Sequence, residues 1–78
     1  MNIFVNGKSV STLDLNLSYD QVVRLADRDP DTTLYTVTWF HSVPFHVLPG
    51  ERGGALIRGQ SVPVTPDMHI NCFFTGNA

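Results

Sequence analysis

An α+β fold, with a mixed sheet of about four to five strands crossed by one helix, is what this sequence predicts. Three observations carry that expectation. Strand-period alternation flanks Asn6-Gly7 near the start of the chain, and that dipeptide favours a tight hairpin because both residue types accept positive φ. A segment with helical periodicity and its own capping signal follows at 18–28. Aromatic and β-branched runs then return at 34–40 and 68–74, as strands require.

Residues 1–17 read as the hairpin. Ile3 and Val5 alternate with Asn2, Phe4 and Asn6, which gives the strand period. On the return, Leu13, Leu15 and Leu17 alternate with Thr12, Asp14 and Asn16, so the leucines are expected on a packed face. Ser18 then caps a helix, with Gln21 completing the reciprocal capping pair and Asp20 favouring the helix dipole. Tyr19, Val22, Val23 and Ala26 form its apolar side, joined by Leu25, while Gln21, Arg24 and Asp27 face water. Pro30 disfavours helical geometry at Asp29, so the helix is expected to end near Arg28, after about ten residues. A helix that short depends on packing against the sheet.

The third strand is expected at 34–40. Tyr35 and Trp39 should be partly buried, on the face opposite the helix or at its rim. Prolines and glycines punctuate 41–61, which reads as a long loop with short strands near 45–47 and 55–57. The internal Gly53-Gly54 belongs to that loop, and Pro63 and Pro66 bracket a turn into the last strand. There Met68, Ile70 and Cys72 should face inward, with His69, Asn71 and Phe73 outward. The first and last strands have the most apolar inner faces. Joining them in parallel at the centre makes the β-grasp arrangement the simplest closure, with residues 1–74 as the domain and 75–78 as a flexible tail.

Composition narrows the functional classes. The chain has 78 residues, 42% of them hydrophobic and 15% charged, enough for one small core. A net charge of −2, with five dispersed Lys and Arg residues, lacks the basic stripe of a nucleic-acid binder. The opening residues show no secretion signal, and no apolar run nears the ~20 residues of a membrane span, so a soluble cytoplasmic protein is the expectation. The single cysteine, Cys72, reads as a small core residue. His41, His46 and His69 lack the tight paired spacing of zinc ligands. The domain has little room for a substrate cavity, so no catalytic role is expected and no cofactor of its own. The Asp27, Asp29 and Asp31 cluster reads as a solvated helix terminus.

Further residues bring a family into view. The opening matches ubiquitin at Met1, Ile3, Phe4 and Val5, and Leu13, Leu15 and Leu17 keep the spacing of its second strand. Tyr19-Asp20-Gln21-Val22-Val23-Arg24-Leu25-Ala26, Asp29-Pro30-Asp31, Leu34-Tyr35-Thr36-Val37-Thr38 and Gly59-Gln60-Ser61-Val62 resemble the bacterial multiubiquitin-type family. The resemblance spans nearly the whole chain and is weakest over 41–58. It implies a protein modifier handled by a ubiquitin-type activating enzyme, a conjugating enzyme and a JAB-type deconjugating peptidase, in a pathway that extends to defence against phage. ATP and zinc would belong to those enzymes. The modifier's terminal glycine carboxylate would be adenylated, passed as a thioester and joined to target lysines.

The resemblance points to Gly76 as that terminus, with Phe74 and Thr75 threading the enzyme channel, because only glycine fits a narrow channel beside the reacting carboxylate. This sequence reads Gly76-Asn77-Ala78 where ubiquitin ends in two glycines. Two accounts fit. A peptidase cuts between Gly76 and Asn77, or the chain is never conjugated and its tail is only a frayed end. Phe4, His69, Asn71 and Phe73 form the expected docking surface. A sulfur carrier with a terminal thiocarboxylate and a noncovalent interaction module are the alternative functions.

Overall fold

The computed structural model describes residues 1–31, 34–42 and 52–75. It contains strands β1 (Asn2–Val5), β2 (Lys8–Ser11) and β3 (Asn16–Ser18), and helix α1 (Tyr19–Leu25). Strands β4 (Tyr35–Phe40), β5 (Gly53–Leu56), β6 (Ser61–Pro63) and β7 (His69–Phe74) follow. Five strands form one mixed sheet in the order β2-β1-β7-β4-β5, and β3 pairs with β6 in a second, two-stranded sheet. The expected α+β arrangement is present, with β1 and β7 parallel neighbours inside the large sheet.

Asn6 and Gly7 both have positive φ, 52° and 79°, as the tight turn between β1 and β2 requires. Asn6 has a second task. Its side-chain amide donates to the Cys72 carbonyl at 3.1 Å, and its side-chain oxygen accepts from the Cys72 N–H at 2.8 Å. The amide thus imitates one more residue of the parallel β1–β7 ladder.

The expected packing of Leu13 and Leu15 fails. They are 96% and 78% exposed, and only Leu17 of the three is buried. Thr12 Oγ1 accepts from the Asp14 N–H at 3.1 Å and donates to the Asp14 carboxylate at 3.3 Å, which turns the chain off the hairpin. The strand resumes as β3 against β6, where Leu17 pairs with Val62 and both are buried. Strand β6 had no counterpart in the sequence expectation, which placed only a turn around Pro63.

Helix α1 starts as expected. Ser18 Oγ accepts from the Gln21 N–H at 3.2 Å, and Gln21 Oε1 accepts from the Ser18 N–H at 2.9 Å. It ends at Leu25, earlier than Arg28, because Asp27 adopts φ 60°. The Asp27 and Arg28 N–H groups then bond back to the Arg24 and Val23 carbonyls, each at 3.0 Å. This closes the helix before Pro30 is reached. Asp27, Asp29 and Asp31 are all exposed.

Gly53-Gly54 also departs from expectation, since both residues lie in β5 and pair with Phe40 and Trp39. A side chain at Gly53 would bring its Cβ within 3.0 Å of the Trp39 carbonyl and 3.3 Å of the Phe40 ring. Glycine there permits close strand approach. The short strand expected at 45–47 lies outside the described residues.

Ile3, Val22, Val23, Val37, Met68 and Ile70 anchor the core between α1 and one face of the sheet. Cys72 is buried with them, and burial pushes its thiol pKa up, against the opposing influence of Arg28. Tyr35 and Trp39 are half-buried against this core. Alternation places them with Val37 on the helix side of β4, correcting the opposite-face expectation.

Candidate functional site

The period of two along β1, β4 and β7 sends one set of side chains away from α1. Phe4, His69, Asn71 and Phe73 fall in that set. The register sets Phe4 beside His69, with Asn71 opposite Thr38 and Phe73 opposite Thr36. The Phe4 and His69 rings stack with centroids 4.8 Å apart and planes 15° from parallel. Phe4 and Asn71 are half-buried, while His69 and Phe73 are exposed. These four expected residues therefore do share one surface.

Phe40 joins them and was missed in the sequence. It is the cross-strand partner of His69, and its ring is about half exposed. The Arg52 guanidinium lies 5.5 Å from the Phe40 centroid, within range of a cation–π attraction. The alternation that places Thr36 and Thr38 outward contained this signal. None of the strand positions facing this way carries a carboxylate.

Phe74 is separated from that surface. It falls on the same side as Cys72 and meets the Tyr35 ring edge-on, with centroids 6.4 Å apart. The ring is nonetheless mostly exposed. Thr75, expected to begin a free tail, is held to the start of β4. Its N–H donates to the Leu34 carbonyl at 3.3 Å, and its Oγ1 lies 3.1 Å from Thr36 Oγ1. Gly76 and Asn77, the expected terminus and cleavage position, lie outside the described residues.

Beside Thr75 the chain opens a groove of about 410 Å³. It forms where β5 leaves β4 after the Val37–Leu56 pair. Leu34, Tyr35, Ile57 and Thr75 contribute to its walls, with Tyr19 and Arg58 at one side. Arg58 lies 5.7 Å from the Tyr19 ring centroid and donates to the Pro30 carbonyl.

Among the described residues no three His, Cys, Asp or Glu side chains gather as a metal site. His69 belongs to the exposed aromatic surface, while His41 is buried with Nδ1 2.6 Å from Thr65 Oγ1. His46 lies outside the described residues. No described helix is long and apolar enough to cross a membrane. No known protein family, curated protein or solved structure matches this chain.

Proposed function

We propose that this chain is a ubiquitin-like modifier built on the β-grasp fold. One arrangement carries the reading. The parallel β1–β7 pair lies within a sheet packed under α1, and β7 ends at Phe74, with Thr75 still bonded to Leu34 directly before Gly76. In this reading a peptidase removes Asn77 and Ala78. The exposed Gly76 carboxylate is adenylated by an ATP-dependent activating enzyme, moves to enzyme cysteines as a thioester, and forms an amide with a target lysine. Glycine leaves the reacting carbonyl open to approach in a narrow channel. Phe4, Phe40, His69 and Phe73 supply the surface on which the enzymes dock, and Phe74 and Thr75 lead into the channel.

A noncovalent interaction module is the second reading, favoured by the same aromatic surface, which needs no reactive terminus. Intact-mass measurement after incubation with a cognate JAB-type peptidase separates the two. Loss of Asn77 and Ala78, followed by ATP-dependent adducts that disappear in Gly76→Ala, supports the modifier. An unchanged mass with demonstrably active peptidase, together with partner binding that survives deletion of 75–78, supports the module.

A further inference from the structure

We propose that the outer edge of β2 is a self-association surface, on which two copies of this chain pair β2 to β2 in antiparallel register about a two-fold axis near Val10. Met1 and Thr12 exchange both backbone bonds, with the Thr12 N–H donating to Met1 at 2.9 Å and the Met1 amine to Thr12 at 3.0 Å. Bonded and non-bonded pairs alternate along antiparallel strands. Ile3–Val10 and Val5–Lys8 are therefore the next bonded pairs, and the backbone groups of Ser9 and Ser11 point outward. Strand β2 ends the sheet, and among the described residues no strand covers that edge. An open row of donors and acceptors is a template for another strand.

Charge selects the partner and its direction. Residues 1–15 contain one basic side chain, Lys8, and one acidic side chain, Asp14. They stand at opposite ends of the edge, both are exposed, and neither forms an ion pair among the described residues. The Met1 ammonium bonds inward, to the Thr12 carbonyl on the β1 side. Antiparallel self-pairing brings each Lys8 to the Thr12–Asp14 turn of the second copy, so both ends of the contact are complementary. Parallel pairing would set lysine beside lysine. Leu13, almost fully exposed at the end of the same edge, lies against the second copy's Asn6-Gly7 turn and loses water contact there. Strand β2 is two strands away from β7, so the pairing leaves Thr75 uncovered and does not depend on the modifier reading.

The contact is short, so the dimer is weak, with association developing between about 10 µM and 1 mM protein. The test is sedimentation equilibrium across that range on the full chain and its variants. Lys8→Glu and Asp14→Lys each raise the dimer dissociation constant by about tenfold or more, and the double exchange Lys8→Glu with Asp14→Lys restores it. Ser11→Pro, which removes an outward N–H without touching the β1 ladder, abolishes association with the fold intact by circular dichroism. A chain that stays monomeric throughout the range overturns the proposal. So does a dimer indifferent to the single charge reversals, or one that the double exchange fails to restore.

Discussion

The Tyr19 hydroxyl stands in for a missing strand residue beside Tyr35. It accepts from the Tyr35 N–H at 2.9 Å and donates to the Tyr35 carbonyl at 3.3 Å. Strand β5 stops pairing with β4 at Val37, so this backbone edge would otherwise end at the groove without a partner. One side chain on α1 thereby satisfies β4 and fixes the helix over the sheet. Tyr19→Phe removes the hydroxyl and preserves the buried ring. The expected loss is about 1–3 kcal/mol, read as a lower urea midpoint with an unchanged slope.

Asn6 joins turn and ladder in the same manner. Asn6→Gly keeps a residue suited to positive φ but deletes both bonds to Cys72. A loss of about 1–2 kcal/mol is expected. Amide exchange at Cys72 should accelerate relative to Ile3, which has no bond to Asn6.

His41 makes stability depend on pH. Burial lowers its pKa from the ordinary value of 6.5, so the unfolded chain binds a proton more readily than the folded one. Stability is therefore full above about pH 6.5 and falls as the pH drops through the folded-state value. Urea midpoints measured between about pH 5 and 7 should show this slope in the native chain. His41→Asn should flatten it, even if the variant is less stable throughout.

The aromatic surface separates docking from folding. Phe73 is more than half exposed, so Phe73→Ser should change stability by no more than ~0.5 kcal/mol. If the activating enzyme docks there, ATP–pyrophosphate exchange with this variant should slow by about tenfold at subsaturating protein. Unaltered exchange would locate enzyme docking elsewhere.

Leu15 and Leu17 share a strand-like spacing and have opposite surroundings. Leu17 is fully buried and Leu15 is 78% exposed. Leu17→Ala should cost about 2–5 kcal/mol, whereas Leu15→Ala should stay within ~0.5 kcal/mol. Thermal melts of the two single variants measure the contrast directly.

That pair marks where periodicity stops being informative. In the candidate surface, the same period of two located Phe4, His69, Asn71 and Phe73 on one face because their strands continue without interruption. Phe40 belongs to that alternation, through Thr36 and Thr38, yet was not anticipated. Phe74, expected to lead into the enzyme channel, has the parity of Cys72 and meets the Tyr35 ring edge-on.

The sequence by itself determined the features made by neighbouring residues. These are the Asn6-Gly7 turn, the Ser18–Gln21 cap, the helical stripe of α1, and the inward or outward sense of β1 and β7. Each depends on φ preference, reach of a side chain over one turn, or a repeat of two or 3.6 residues. Only the tertiary structure decided that the chain turns at Thr12–Asp14 and leaves two leucines in water. The same holds for the β3–β6 pair, the placement of Gly53-Gly54 against β4, and the Tyr19 hydroxyl at the edge of Tyr35. Those outcomes join groups distant in the chain, where competing backbone and side-chain partners decide the result and local pattern carries no record of which partner arrives.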